Sequence, residues 1–327
     1  MNPFRFASAA DVDTALATVT SDRGAYYIAG GTNILDLMKD DVEQPQLLVD
    51  ITQLPFREIV ENADGVRLGA LATMSEAADA PVVKAHFPVV SQALLAGASP
   101  QLRNMATLGG NIMQRTRCAY FRDVSQACNK RKPGLGCGAI GGENRMHAVI
   151  GTSDDCICTH PSDLAVALLS VDANVRVRGR RGARSIPIDR FHVLPGNTPN
   201  IESVLDWGDL IEAIDLPASA HARNSAYVKV RDRASFEFAL VSVAAALEVK
   251  AGMIQTARIA LGGVAPVPWR AREAEAVLAG KPATSATFAV AARAATMNMR
   301  GYGKNDFKIE LTRRSVERAL QTVGGIA

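Results

Sequence analysis

Aromatic side chains make up 5% of the 327 residues, too few for the stacked platforms that hold single-stranded nucleic acid. The formal charge of +3 is small and dispersed, so no basic stripe argues for a polyanionic partner. No uninterrupted apolar run reaches membrane-spanning length. The first residues, Met1-Asn2-Pro3-Phe4-Arg5-Phe6, run into Asp11 and Asp13 without a charged n-region and an apolar h-region, so no signal peptide is visible. The expectation is a chain made in the cytoplasm that stays there, or reaches the periplasm by co-export with a signal-bearing partner. Cysteine is absent outside residues 118–158, which excludes a disulfide framework spread through a small secreted domain.

What remains is ordinary for a globular protein, 48% apolar and 21% charged. The length exceeds what one core usually serves, so two or three domains are expected.

Residues 8–20 place Ala10, Val12, Ala15, Leu16 and Val19 at helical spacing behind Ser8 or Asp11, with an end expected near Gly24. Tyr26-Tyr27-Ile28-Ala29 then reads as a buried strand leading into Gly30-Gly31-Thr32-Asn33, and Ile34, Leu35, Leu37 and Met38 return to helical spacing. Strand, glycine turn and helix N-terminus together let backbone N–H groups approach an anion. A lone Gly-Gly-Thr is more often a plain tight turn, and neither a Rossmann nor a Walker spacing is present. Leu47-Leu48-Val49-Asp50-Ile51 completes a small βαβ unit, and Asp64-Gly65 predicts a hairpin between Ile59-Val60 and residues 66–70. Helices are expected over 75–85 and 88–97. A second candidate cradle follows at Gly97-Ala98-Ser99 and Thr107-Leu108-Gly109-Gly110-Asn111. Two such turns can grip the two phosphates of a dinucleotide, which neither argues alone.

Between them and Pro161-Ser162-Asp163 lie all five cysteines, Cys118, Cys128, Cys137, Cys156 and Cys158, at spacing C-x9-C-x8-C-x18-C-x-C. No C-x2-C pair occurs, so the common zinc patterns are not matched. Thiolates gathered from a Gly/Pro-rich loop suit structural zinc or an iron–sulfur cluster, and the spacing does not choose. Residues 101–147 carry eight Arg and Lys against Asp123 and Glu143, an excess expected to bias a redox centre or meet an acidic surface. His147 and His160 read first as structural histidines. A helix is expected from Asp163, an arginine-bearing hairpin around Gly179 to Gly182, and a domain boundary near 222 after a Pro/Gly-rich stretch. Beyond it a hairpin turns at Ala251-Gly252 and helices follow at 270–279, 285–295 and 311–323. The fold class is therefore α+β.

Taken together the motifs resemble the flavin-binding subunit of molybdenum hydroxylases, the xanthine dehydrogenase and aldehyde oxidoreductase family. Ala29-Gly30-Gly31-Thr32-Asn33 matches the first FAD pyrophosphate motif and Thr107-Leu108-Gly109-Gly110-Asn111 the second. Pro161-Ser162-Asp163-Leu164 matches the segment whose aspartate contacts the FAD adenosine portion. Tyr227-Val228-Lys229-Val230-Arg231 and Leu261-Gly262-Gly263-Val264-Ala265 match the family's C-terminal domain, where the lysine lies near the flavin. The resemblance implies a two-lobed FAD-binding domain of the vanillyl-alcohol-oxidase/PCMH type over 1–222, then a smaller α+β domain with an antiparallel sheet and helices over 223–327. It implies FAD contacts from Tyr27, Ile28, Ala29, Gly30, Gly31, Thr32, Asn33, Ile34, Gly97, Ala98, Thr107, Gly109, Gly110, Asn111, Met113, Asp163 and Lys229. The interval 115–158 is an insertion similar to those of aldehyde oxidoreductase and hydroxybenzoyl-CoA reductase flavoprotein subunits that bear a [4Fe-4S] cluster. By that resemblance Cys118, Cys128, Cys137 and Cys156 ligate the cluster, and Cys158 is surplus, rivalling Cys156. No residue is implied to act on substrate: the reaction would occur on a large molybdenum-cofactor subunit, with a small [2Fe-2S] subunit completing a heterotrimer and an external acceptor taking the electrons. The rivals are an aryl-CoA reductase or xanthine dehydrogenase-like subunit and, from another class, a zinc-stabilised binding module.

Overall fold

The computed structural model describes residues 1–326. Three sheets organise it. The first is parallel, with β1 (Arg5–Ser8), β2 (Ala25–Ile28) and β3 (Leu47–Asp50) in the order β1-β3-β2. Its central strand is Leu-Leu-Val-Asp, buried at its first three residues, because a parallel strand between neighbours has no face left for water. The Val12–Ser21 helix turns Ala15 and Val19 onto this sheet and is capped by Asp11, which accepts from Thr14 N at 2.7 Å. It stops at Ser21, short of Gly24.

The second sheet is antiparallel: β4 (Ile59–Asn62), β5 (Gly65–Gly69), β6 (Asn174–Gly179), β7 (Gly182–Pro187) and β8 (Leu210–Pro217), in the order β4-β5-β8-β6-β7. Both expected hairpins, β4-β5 and β6-β7, are present. The central strand β8 was not expected, since its flanking Pro and Gly residues suggested a boundary. The carboxylates that disguise it are paired with arginines, Glu212 with Arg178 and Asp215 with Arg67. Strand β1 also escaped the pattern, because as an edge strand it has no buried face to alternate against. The helix expected over 75–85 is two, Met74–Asp79 and Pro81–His86, since Pro81 has no N–H for a continuous ladder and constrains Ala80.

The third sheet is antiparallel, β9 (Ser225–Val230), β10 (Val241–Lys250), β11 (Met253–Gly262) and β12 (Trp269–Arg270), in the order β12-β11-β10-β9. The helices Arg272–Leu278, Ser285–Thr296 and Phe307–Gly324 cover it, the last beginning four residues before the expected start at 311. Between the second and third sheets runs the Asp163–Ser170 helix, every residue of which is buried. Burying Leu164, Leu168 and Leu169 stabilises this join by about 1.5–3 kcal/mol each. Among the described residues no helix is long and apolar enough to cross a membrane.

Candidate functional site

The two glycine turns face one cleft of about 730 Å3. The first leaves β2 and enters the Ile34–Lys39 helix. Gly31 has φ +70°, and a Cβ on Gly30 would stand 1.8 Å from the Met105 carbonyl oxygen, so the backbone closes there only because no side chain intervenes. The second turn opens the Leu108–Ile112 helix, with the Thr107 hydroxyl accepting from Gly110 N. Of the residues implied as FAD contacts, Tyr27 through Ile34, Gly97, Ala98, Thr107, Gly110, Asn111, Met113, Asp163 and Lys229 all line the cleft. Gly109 does not: its N–H donates to Ala70 O, and a Cβ on it would meet Ala70, so its smallness serves packing against β5's exit. Asn33 Oδ1 is buried without a hydrogen-bond partner among the described residues, and with the glycine cradle it marks a surface shaped for a ligand.

At the far wall Lys229 Nζ, on β9, donates to Asp163 Oδ2 at 2.7 Å and to Ala96 O at 3.1 Å, while the Tyr227 hydroxyl donates to Asp163 Oδ1 at 2.6 Å. Asp163 thus receives far more than helix-dipole compensation. Burial and the neighbouring carboxylate push the Tyr227 phenol well above its usual range, so it remains a donor. Residues that sequence reasoning missed complete the wall, chiefly Arg117, Gln114, Phe236 and Phe238. Their only signal was proximity to the motifs in space.

All five cysteines line one buried void of about 10 Å3. Cys128 and Cys137 face each other across an isolated antiparallel bridge, and Ser153 pairs with Cys156. Asn129, also unforeseen, ties the turn: its Oδ1 accepts from Gly134 N and Gly136 N, and its Nδ2 donates to Asp155. His147 Nε2 lies 3.1 Å from Cys118 Sγ. The backbone carbonyl of His147 is held by the buried Lys308 ammonium and by Asn305. Burial pushes the Cys118 thiol up to about 12. The neighbouring Cys156 thiol and Lys130 ammonium hold the Cys158 thiol below its usual range, and Cys158 in turn drives Cys156 up. Both thiols line the void. Among the described residues no three His, Cys, Asp or Glu side chains converge tightly enough for a single metal ion. The donor chemistry suits a cubane, whose four thiolates each bind a different iron and so stand apart. The void has room for about one water, so the loop would have to spread to admit one.

Folding pairs five of the eight basic residues with carboxylates, while Arg103, Arg131 and Lys132 form no ion pair among the described residues. Arg115 pairs with Glu43 and Glu202, Arg117 with Asp36, Arg122 with Asp36 and Asp40, Lys130 with Glu202, and Arg145 with Asp232. The carboxylates come from outside the segment, which no local charge count could reveal. Burial works against Glu202, yet Arg115 and Lys130 hold it below the usual carboxylate range. The basic field expected around the cysteines is thus reduced, not abolished, by these pairs.

Two glycine turns and a buried ion pair lining one cleft are the pattern of a dinucleotide-binding protein. The family described as "FAD binding domain in molybdopterin dehydrogenase" matches residues 2–219, and the "CO dehydrogenase flavoprotein C-terminal domain" matches 225–323. The chain belongs to the FAD-binding subunits of the molybdenum hydroxylase family and is an oxidoreductase subunit. It is 47% identical to the aldehyde oxidoreductase FAD-binding subunit PaoB of Escherichia coli K12, over 91% of each chain. It is 27% identical to the carbon monoxide dehydrogenase medium chain of Hydrogenophaga pseudoflava, over 90% of this chain and 88% of that one. The solved carbon monoxide dehydrogenase of the same organism superposes with a TM-score of 0.78 at 26% identity, each chain covered at 100%. Membership accounts for FAD. It does not by itself account for the cysteines.

Proposed function

We propose that this chain is the FAD and [4Fe-4S] electron-transfer subunit of a heterotrimeric molybdenum-dependent aldehyde oxidoreductase. The observation that carries the reading is the joint presence of both glycine turns and the Asp163–Lys229 pair on one cleft, in a chain so similar to an aldehyde oxidoreductase subunit. FAD, when bound, supplies the exchange between electron pairs and single electrons. The protein's own part is placement. Backbone N–H groups of Gly30, Gly31 and Gly110, with the side chains of Thr32, Thr107 and Asn111, hold the pyrophosphate, while Asp163 and Lys229 fix the far end.

The division at 222/223 separates the flavin domain from the smaller C-terminal one. Cys118, Cys128, Cys137 and Cys156 hold the cluster, with Cys158 next to Cys156 as the rival for the fourth place. The five thiols on one void support this; the absence of a three-ligand set among the described residues weighs against a mononuclear zinc site. The large molybdenum-cofactor and small [2Fe-2S] subunits are the partners, substrate chemistry lies on the former, and an external acceptor takes the electrons. An aryl-CoA reductase or xanthine dehydrogenase-like complex is the alternative assembly, and the large subunit decides it. The complex is placed in the periplasm by co-export or in the cytoplasm.

Copurification of the native complex tests the assignment. Two partner chains, molybdenum, and turnover of an aldehyde rather than an aryl-CoA thioester or a purine are expected. A chain that purifies alone, or whose large partner reduces only aryl-CoA, would refute it.

A further inference from the structure

A third cavity, of about 360 Å3, lies between the FAD cleft and the cysteine void. Arg117, Asp163 and Phe238 are walls it shares with the cleft, and Cys118 and His147 are a floor it shares with the void. Its mouth is open to solvent at Glu143 and Arg145, both exposed. The volume falls within the range of small-molecule sites, about 300–1,000 Å3.

Its polar lining is unfinished. Nine buried side-chain atoms lack a hydrogen-bond partner among the described residues, and three of them, Ser242 Oγ, His147 Nδ1 and His160 Nε2, belong to residues that line this cavity and not the FAD cleft. Ser242 is 1% exposed and His147 5%. His147 is shared with the cysteine void and His160 with a small pocket beside His192, while Ser242 lines this cavity alone; unpaired buried polar atoms are costly, so an occupant that pairs with them is favoured. His160 Nδ1 accepts from Ser162 N, which leaves the neutral ring's proton on Nε2. His160 is therefore a donor, and the Ser242 hydroxyl can donate as well, so acceptor oxygens suit both. Gly262 keeps the floor open, for a Cβ there would stand 2.4 Å from Ser242 Oγ and 2.6 Å from Val166 Cγ2.

The charges around it are already paired, Arg117 with Asp36, Arg145 with Asp232, and Glu143 with Lys304. Among the described residues no cation lining it lacks a carboxylate partner, although Arg117 Nε itself makes no hydrogen bond. The Phe238 ring, with the Arg117 guanidinium carbon 5.0 Å from its centroid, gives one flat wall, and Val166 and Ala239 are apolar. We propose that this cavity binds a small single-ring carbonyl compound of the quinone class, its oxygens accepting from Ser242 and His160 and its ring lying against Phe238. Standing against both candidate redox sites, it suits the external acceptor; that role rests on the function proposed above, whereas the binding does not.

Calorimetric titration of the purified chain with duroquinone tests it, with FAD content measured on each sample. Saturable one-to-one binding is expected. It should weaken at least tenfold in Ser242→Ala, which removes a donor, and in Ala239→Leu, which fills the space, with FAD content unchanged in both. Ser242→Ala is small enough to fold, and its far-ultraviolet spectrum checks that. No saturable binding, binding indifferent to both variants, or tighter binding of benzoate than of duroquinone would overturn the proposal. A flavin-free chain that still binds duroquinone supports this site while removing the one proposed above.

Discussion

Replacing Lys229 by methionine keeps the length of the side chain and removes its charge. The side chains of Lys229 and Asp163 are only 4% and 10% exposed, and Nζ stands 2.7 Å from Oδ2. Breaking such a buried pair from one side costs about 3–5 kcal/mol, most of it the penalty of an uncompensated charge. Asp163 keeps the Tyr227 hydroxyl, and Ala96 O keeps Arg231 Nη1 at 2.9 Å, so no second group is orphaned and about 3 kcal/mol is expected. Asp163→Asn leaves the ammonium its oxygen acceptors and should cost about 2 kcal/mol. Because each variant removes the same pair, the double variant should fall short of the sum by about 2 kcal/mol. Hydrogen exchange of amides in the Asp163–Ser170 helix reads the local opening free energy without assuming that the whole chain unfolds at once. A loss under about 1 kcal/mol in Lys229→Met, or strict additivity in the double variant, would refute the reasoning.

Gly30→Ala sets a Cβ against the Met105 carbonyl and should reduce FAD affinity at least tenfold, whereas Gly109→Ala, 3.2 Å from Ala70 Cβ, should leave it within twofold; flavin titration separates them. Asn129→Ala releases the amides of Gly134 and Gly136, and proteolysis within residues 129–137 should quicken while flavin content holds. Burial lowers His192 to about 4 from an ordinary value near 6.5, so the native ring stays neutral where the unfolded one takes up a proton. Stability should fall by about 2 kcal/mol as the pH drops from about 6.5 toward 4, and the urea midpoint of His192→Gln should show a shallower fall.

Local order was legible wherever a segment's partners lie beside it in sequence. The βαβ unit, three hairpins and the Asp163 helix announce themselves by period and turn chemistry, and the glycine turns fall on the cleft. What stayed hidden depended on distant partners. Strand β8 carries acids that Arg67, Arg176 and Arg178 make tolerable in a sheet, and the arginines around the cysteines looked unpaired because Asp36, Glu43 and Glu202 lie elsewhere. Gly109 belongs to its motif by sequence but to the packing by geometry. Ser242 and Phe238 carried no signal at all until β10 and its entry loop were placed.

The most direct test is to measure flavin, iron and acid-labile sulfide together on the chain purified without oxygen. One FAD with about four irons and matching sulfide per chain is the result this account predicts. No flavin, or one zinc without iron, would contradict it.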